Sequence, residues 1–294
     1  MCETNFPVLS HYLIEIGAYL VALILFWSAW QKGRYWFLTL LVGMVYGLIL
    51  EALNMKAFHA YTYGEFLVML PGGLPLVIGV SWGMIIYVAM LTSAALGIVW
   101  WIRPFLDALL ALMIDLALDP VAANQGLCMW VWEPTEKGFL FGVPPDNFFG
   151  WFFVAFGFSL FWYVLGRKFK PETKSLLKQI GILVGVLILA MFILFIAITA
   201  FQWITKTELT PMLIVLGITV LVSVILVLRF APPIKRDNPI NIPVLLVPTY
   251  FYLYELIVLL VWIRNPQMVL NTVVWLLLGM FCYTLPYSKT IFKR

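Results

Sequence analysis

Two aspartates four residues apart stand at the end of a long apolar run, in the segment 115–120 with the sequence DLALDP. On a helix, residues four apart lie on one face, so the carboxyl groups of Asp115 and Asp119 are expected to lie side by side. Pro120 disfavours helical backbone at the preceding residue, which predicts that the helix ends at Asp119. Ionisable side chains within an apolar segment are costly and mark candidate functional sites. The alternative is structural: Asp119 ends the helix and Asp115 pairs with a buried polar group.

Two carboxyl groups this close in a medium of low dielectric constant do not both ionise easily, so one is expected to keep its proton. A buried carboxylic acid is suited to protonating a weak base. If the base is an isoprenoid double bond, protonation gives a tertiary carbocation that water converts to an alcohol. Aromatic faces stabilise a desolvated cation by roughly 0.5–2 kcal/mol each. The chain supplies such faces soon after the aspartates, at Trp130, Trp132, Phe148 and Trp151.

The composition identifies an integral membrane protein, since 64% of the 294 residues are hydrophobic and 11% are charged, with a mean hydropathy of +1.01. A spanning helix needs about 20 mostly apolar residues. Nine segments fit this length, at about 12–30, 35–53, 75–101, 104–119, 148–166, 179–204, 210–230, 243–263 and 268–285. We therefore predict an all-α polytopic membrane protein whose residues 1–294 form one domain.

The basic residues predict the orientation of these nine spans. With alternate loops on opposite sides, 14 of the 18 Lys and Arg residues fall on one side of the membrane. Because loops rich in Lys and Arg stay in the cytoplasm, this bias predicts an N-out, C-in, multi-pass protein of the cell membrane. The net charge of +4 comes mostly from this cytoplasmic excess and gives no sign of nucleic-acid binding.

The cysteines and histidines argue against a metal centre. The three cysteines form no CxxC motif, and Cys282 is predicted on the opposite side from Cys2 and Cys128, so neither a disulfide framework nor a zinc site is expected. The only two histidines, His11 and His59, are too few for a multi-histidine metal centre.

Acidic residues on four predicted helices converge on one depth. A rise of 1.5 Å per residue places these carboxyl groups in the outer half of the membrane: Glu15, Glu51, the pair Asp115 and Asp119, and Glu255. Asn54 lies near Glu51 at the outer end of the second helix, whereas Asp107 is predicted towards the inner face. The convergence predicts a single site in the outer half.

Two long outer connections flank that depth, at residues 54–74 and 120–147. In the second, the alternating pattern of Trp130 and Trp132 precedes a turn and the segment Phe139–Phe141, which predicts a short β-hairpin between helices four and five. This aromatic loop either folds over the carboxyl groups as a lid or lies in an interfacial aromatic belt.

Several motifs occur in a fixed order around these residues: DLALDP (115–120), WVW (130–132), FGVP (141–144) and NFFGW (147–151). Before them stand LE (50–51) with Asn54, YTYG (61–64), GLP (73–75) and SW (81–82). In these motifs the chain resembles the carotenoid biosynthesis protein family, over about residues 40–165. The helices at about 179–285 lie beyond the resemblance and are predicted to be scaffold.

That family includes membrane carotenoid 1,2-hydratases of the γ-carotene and bisanhydrobacterioruberin pathways. The resemblance implies a cofactor-independent lyase without a metal, which adds water to the terminal 1,2 double bond of an acyclic carotenoid. The candidate catalytic residues are Asp115, Asp119, Glu51 and Asn54. The candidate substrate-binding residues are Trp130, Trp132, Phe148, Asn147, Trp151, Trp82 and Tyr63. The expected partners are a membrane-dissolved carotenoid, water, the lipid bilayer and other membrane enzymes of the carotenoid pathway, with no nucleic acid.

Two other functional classes remain open. UbiA-type polyprenyl transferases also use Asp-x-x-x-Asp motifs, which hold Mg²⁺ and a diphosphate, and act on isoprenoid lipids. They need a second such motif and nearby basic residues, and the predicted site has neither. A transporter with proton-coupled carboxyl groups is the third class, which the absence of internal repeats disfavours.

Overall fold

Helices dominate the computed structural model, which describes residues 7–124, 127–132, 142–230 and 235–291. Within these ranges the chain forms nine long helices: α1 (Pro7–Lys32), α2 (Arg34–Lys56), α3 (Leu76–Ala95), α4 (Arg103–Ala122), α5 (Pro145–Phe169), α6 (Leu176–Thr205), α7 (Leu209–Phe230), α8 (Ile242–Val258) and α9 (Pro266–Thr284). A π-helical turn, Leu259–Ile263, continues α8, and a short α10 (Ser288–Ile291) follows α9. Eight of the nine are long and apolar enough to cross a membrane. The protein is therefore an all-α polytopic membrane protein.

Helix α4 is the exception, because its 20 residues include Arg103 and three aspartates. It lies at the centre of the bundle, where it contacts α3, α5, α7, α8 and α9. As a result, 16 of its 20 residues are buried. Charged groups facing lipid are costly, so the apolar helices around α4 shield the one long helix that carries several carboxyl groups.

Helix α4 runs through Pro120 and ends at Ala122, so the predicted end at Asp119 is wrong. Proline has no N–H to donate to the carbonyl four residues earlier, which here belongs to Leu116. The side-chain amide of Asn271 on α9 donates to that Leu116 carbonyl at 2.8 Å. The indole of Trp275 in turn donates to Asn271 Oδ1 at 3.0 Å. A neighbouring helix thus supplies the missing hydrogen bond, and α4 continues.

The two ends of the bundle differ in character. At the end that we call the basic end, α1 finishes at Lys32, α2 begins at Arg34 and α4 begins at Arg103. The opposite end, the loop end, carries four short strands: β1 (Tyr61–Tyr63), β2 (Met69–Leu70), β3 (Leu74–Pro75) and β4 (Trp130–Trp132). Strand β1 pairs antiparallel with β4, and β2 pairs antiparallel with β3.

The first of these pairings joins the two long connections of the loop end. Thr62 of the first connection lies opposite Val131 of the second. The strand that was predicted to form one arm of a hairpin therefore pairs with the first connection. The other predicted arm, Phe139–Phe141, lies outside the described residues.

Glu15 on α1 anchors the first connection of the loop end. Its carboxyl group accepts hydrogen bonds from the backbone N–H of Leu67 and, at 2.9 Å, from that of Val68. The Tyr19 hydroxyl donates to the same carboxyl group at 2.7 Å. Glu15 thus holds the backbone of the first connection against α1, a structural task separate from the other carboxyl groups predicted at this depth.

His11 joins α1 to both connections. Its Nδ1 lies 2.8 Å from the Glu65 carbonyl oxygen and its Nε2 lies 2.9 Å from the Leu127 carbonyl oxygen. The His11 side chain therefore connects α1 to the backbone of both connections. Next to Leu127, Cys128 is disulfide-bonded, so the expectation of no disulfide is wrong. Cys282 is a free thiol.

Helices α6 and α7 form an apolar flank of the bundle. Their long side chains are largely exposed, among them Phe192 at 62%, Phe195 at 60% and Leu221 at 59%. Of the apolar 18-residue stretch in each helix, only 22% is buried in α6 and 17% in α7. Such a surface is suited to contact with lipid chains.

Candidate active site

A small cavity lies at the loop end, beside α4 and the β1–β4 sheet. Its polar lining groups are Glu51, Tyr61, Tyr63, Ser81, Asp119 and Asn147, and its indole rings are those of Trp82, Trp130, Trp132 and Trp151. The volume of the cavity, counted as the space open to the centres of water molecules, is about 50 Å³. At 10–15 Å³ each, this is room for roughly three to five water molecules. The cavity therefore accommodates the end of a chain-like molecule and a little water, but not a large lipid as a whole.

Glu51 lines one side of the cavity and accepts hydrogen bonds from three described side chains. Tyr61 and Tyr63 donate their hydroxyls to Oε2, the second at 2.8 Å, and the indole of Trp82 donates to Oε1 at 2.7 Å. Three donors directed at one carboxyl group offset part of the cost of burying a negative charge there. Burial and the charge of Glu51 raise the pKa of the hydroxyls of Tyr61 and Tyr63 well above the usual range. Both tyrosines therefore remain donors at neutral pH.

Asp115 and Asp119 lie side by side on α4, as their spacing predicts, and the amide of Asn147 lies against both carboxyl groups. Two carboxyl groups this close and this buried do not both ionise easily. Asn147, in the first turn of α5, donates its amide to Asp119, and its Nδ2 lies 3.5 Å from Asp115 Oδ2. Asp115 is 0% exposed and Asp119 is 2% exposed. Only Asp119 of this pair is among the described residues that line the cavity.

The strand pairing places four aromatic rings over the cavity. Tyr61 lies opposite Trp132 and Tyr63 opposite Trp130, with ring centroids 4.8 Å and 5.9 Å apart. Because side chains alternate along a strand, Val131 points the other way and is 43% exposed. This arrangement favours the lid interpretation for Trp130 and Trp132.

Trp82 and Trp151 form another wall, with ring centroids 3.9 Å apart. Trp82 sits directly against Gly47 of α2, one helical turn before Glu51. A Cβ atom on residue 47 would lie 2.5 Å from Cβ of Trp82. The absence of a side chain at Gly47 therefore lets the Trp82 indole reach Glu51.

Most of the sequence-predicted site residues come together in this cavity. Its lining includes Glu51, Tyr63, Trp82, Asp119, Trp130, Trp132, Asn147 and Trp151. Three other candidates lie outside the described lining, and one of them is Asp115, the partner of Asp119. Asn54 lies beside the site, with its Nδ2 3.4 Å from the Tyr61 hydroxyl. Phe148 is fully buried in the hydrophobic core.

Tyr61 and Ser81 line the cavity but were not among the sequence candidates. Tyr61 had a signal in the sequence, because residues two apart on a strand share a face and Tyr63 was already a candidate. Ser81 precedes Trp82, and its position depends on how α3 packs. No local pattern distinguishes it.

Two further buried carboxyl groups lie at different depths. Glu255 on α8 is 0% exposed and interacts electrostatically with Asp115 and Asp119. Asp107 lies towards the basic end, where it accepts a hydrogen bond from Ser159. Glu255 thus belongs to the surroundings of the aspartate pair, and Asp107 lies apart, as predicted.

The groups around the aspartate pair differ from the ligands that usually hold a metal ion. In the described part of the chain, no three His, Cys, Asp or Glu side chains are grouped so as to hold a metal ion. The amide of Asn147 also lies against both carboxyl groups. A hydrogen-bond donor therefore stands where a cation bridging the pair would have to bind.

Comparison with known proteins gives one match. Residues 9–223 match the family described as carotenoid biosynthesis protein. The match reaches from α1 into α7, well beyond the 40–165 stretch of the motifs, and includes every candidate site residue. No curated protein and no solved structure is significantly similar. The match covers most of the chain, which therefore belongs to the carotenoid biosynthesis protein family and has a role in carotenoid biosynthesis.

Proposed function

We propose that this protein is a carotenoid hydratase. It adds water across the terminal 1,2 double bond of an acyclic carotenoid end group, without a redox cofactor. The observation that supports this proposal most directly is that Asp119 and Glu51 line the same small aromatic cavity. Asp119 is half of a buried pair of carboxyl groups that both face the Asn147 amide, and Glu51 accepts hydrogen bonds from three side chains. An acid, a fixed negative charge and aromatic faces are what cation formation on an apolar substrate requires.

Asp119 is the proton donor in this proposal, because it lines the cavity and Asp115 lies outside the described lining. Its proton moves to C2 of the terminal double bond, whose electron pair forms the new C–H bond. The electron deficiency then rests on C1 as a tertiary carbocation. Asn147 stabilises the new Asp119 carboxylate by the amide hydrogen bond that it already donates to it.

Glu51 and the aromatic walls protect the cation. The Glu51 carboxylate supplies a negative charge across the cavity, and each ring contributes roughly 0.5–2 kcal/mol when desolvated. A water molecule adds through its oxygen to C1 and releases one proton, which returns to the carboxylate of Asp119. The sum is one alkene and one water converted to one tertiary alcohol, with no net proton consumed. The small cavity keeps other water away from the cation.

The same proposal includes a nine-span, N-out, C-in arrangement in the cell membrane. Helix α4 has 20 residues, about 30 Å at 1.5 Å per residue, which is enough to cross the hydrocarbon core. Lys and Arg residues gather at the basic end, in keeping with a cytoplasmic face. The disulfide-bonded Cys128 lies at the loop end, in keeping with an oxidising outer compartment.

The test is the mass of the polyene made when the chain is expressed in cells that produce lycopene. Wild type should yield a product heavier by one water per reacted end, and Asp119→Asn should lower that yield by roughly 10²–10⁴-fold, the usual contribution of a general acid. Asp237→Asn, an exposed aspartate at the basic end, is the matched control. Normal hydration by a folded Asp119→Asn protein would overturn the proposal.

A second test concerns metal dependence. In isolated membranes, activity should survive exhaustive chelation; a loss of activity that Mg²⁺ restores would favour the polyprenyl transferase alternative.

A further inference from the structure

Buried polar atoms without a partner are concentrated at one interface of the bundle. Nine such side-chain atoms occur in the described part of the chain, and six of them belong to α4, α8 and α9. These six are Asp107 Oδ1, Asp115 Oδ1, the Tyr252 hydroxyl, both carboxyl oxygens of Glu255 and Thr272 Oγ1. Leaving such atoms unpaired costs free energy, so in folded proteins they are normally satisfied by ordered water.

The packing brings several of these groups together. On α9, the buried residues Thr272, Gly279 and Tyr283 follow one stripe. The Tyr252 ring of α8 lies directly on Gly279, where any Cβ atom would overlap the tyrosine hydroxyl. One turn further along α9, the Tyr283 hydroxyl lies 3.4 Å from the Leu110 carbonyl of α4. The three helices therefore direct their polar groups into a shared interface.

These groups form a continuous succession along the bundle. Asp107 lies one turn before Leu110, whose carbonyl faces the Tyr283 hydroxyl. Tyr283 lies one turn from Gly279, on which Tyr252 packs. Glu255 follows Tyr252 by one turn of α8 and interacts electrostatically with Asp115 and Asp119. We call this succession, together with Thr272, the polar column. It begins near the basic end, where Asp107 is bonded to Ser159, and finishes at the carboxyl pair of the candidate active site.

We propose that the polar column encloses a chain of water molecules that carries protons between the basic end of the bundle and the Asp115–Asp119 pair. Glu255 is the carboxyl group that exchanges protons with the pair. Each transfer breaks one O–H bond and forms another on the next oxygen, so no oxidant or other reactant is needed. Unpartnered oxygens of carboxyl and hydroxyl groups can each donate to or accept from such water.

The role of this proton path in catalysis rests on the proposed hydratase function. Hydration consumes no net proton, so the column need not feed protons in step with turnover. Its role is to restore the single shared proton of the Asp115–Asp119 pair when the proton released by water leaves by another route. Glu255 is therefore a positioning residue, because it acts on the substrate only through Asp115 and Asp119.

The test is infrared spectroscopy of the full-length protein in lipid, transferred from H₂O to D₂O. Wild type should show protonated-carboxyl absorption that shifts in D₂O; Glu255→Gln should lose the band of Glu255 and keep that of the Asp115–Asp119 pair. Thr272→Val removes one hydroxyl of the column without changing shape, so it should keep both bands but slow their exchange by about tenfold or more, the effect of a modest added barrier. Thr219→Val is the control, because the Thr219 hydroxyl bonds its own helix at Val215, outside the column.

Three results would overturn the proposal: carboxyl absorption unchanged in Glu255→Gln, absorption that does not exchange, or Thr272→Val exchanging as fast as Thr219→Val. None of these measurements depends on activity. If wild type makes no hydrated product yet the column exchanges as described, the proposed function fails and the proton path stands. If hydration proceeds but the absorption never exchanges, the proton path fails alone.

Discussion

At the scale of single residues, Glu51 illustrates how a carboxylate is maintained inside an apolar bundle. Its three donors come from two parts of the fold, since Tyr61 and Tyr63 lie on β1 and Trp82 lies on α3. A buried charge that lost these partners would pay the cost of desolvation without compensation. Glu51 therefore has all three hydrogen-bond donors only when β1 lies at the cavity. The loop end must be closed for the site to be complete.

Removing one of these donors should lower activity while leaving the protein folded. A hydrogen bond to a charged group contributes about 1.5–3 kcal/mol, which corresponds to roughly 10–100-fold in rate. We expect this loss for Trp82→Phe and for Tyr63→Phe, measured as initial rates of product formation in isolated membranes. Tyr19→Phe, which removes a donor to Glu15 instead, is the control. Equal losses in all three variants would show that the effect is general loosening of the loop end.

At the scale of elements, the continuation of α4 past Pro120 depends on α9. Asn271 supplies the hydrogen bond that proline cannot make, at the Leu116 carbonyl. This bond lies at Leu116, between Asp115 and Asp119. The orientation of the candidate catalytic pair is thus coupled to the packing of a helix more than a hundred residues away in the chain.

Asn271→Ala should destabilise the protein by about 1–3 kcal/mol, because it leaves a buried carbonyl without a partner. In a Pro120→Ala background the alanine N–H bonds Leu116 itself, so the same substitution should cost about 1 kcal/mol less. The measurement is the free energy of unfolding of the four proteins of this double-mutant cycle in detergent. An identical cost in both backgrounds would show that Asn271 does not compensate for the proline.

The contact of α2 with α3 offers a second prediction at this scale. Alanine normally improves a helix by about 0.5–1 kcal/mol over glycine, but at Gly47 its Cβ would lie 2.5 Å from Trp82. We expect Gly47→Ala to displace the indole, lower activity and cost about 1–3 kcal/mol of stability. At Gly181 a Cβ would meet nothing within 4 Å, so Gly181→Ala should retain activity and stability. Thermal unfolding and hydration rates of both variants check this, and a fully active Gly47→Ala protein would contradict it.

At the scale of the whole molecule, the bundle separates three environments. Exposed apolar helices such as α6 and α7 face outwards, while α4 with its carboxyl groups is enclosed. Basic residues occupy one end and the cavity occupies the other. In the proposed hydratase, this separation would let an apolar substrate approach from lipid while the acid stays shielded from lipid and from bulk water.

The topology follows from this separation and can be tested by labelling. Val131→Cys at the exposed back of β4 should react with a membrane-impermeant maleimide on intact cells. Lys174→Cys, an exposed position at the basic end, should react only after permeabilisation, because the proposed topology places the basic end in the cytoplasm. Wild type gives the background from native thiols. Labelling of both positions from the same side would contradict the nine-span arrangement.

Local sequence was sufficient to predict the helices and to single out eight of the residues that line the cavity. Helix α2, predicted at 35–53, runs from Arg34 to Lys56, because a long apolar run crosses a bilayer whatever its neighbours are. The family predicted from the order of short motifs is confirmed, since several uncommon residues recur there at defined spacings. The spacing of Asp115 and Asp119 likewise predicted their common face, because helical geometry is a local property.

The contacts between distant segments depended on packing. The pairing of β1 with β4, the bond from Asn271 that carries α4 past its proline, and the polar column of α4, α8 and α9 each join residues far apart in the chain. Their hydrogen-bond partners are chosen by which helix faces meet, and hydrophobic periodicity specifies a face but not its neighbour. For that reason the sequence predicted the acid, whereas the helix that positions it and the carboxylate facing it became visible only in the folded bundle.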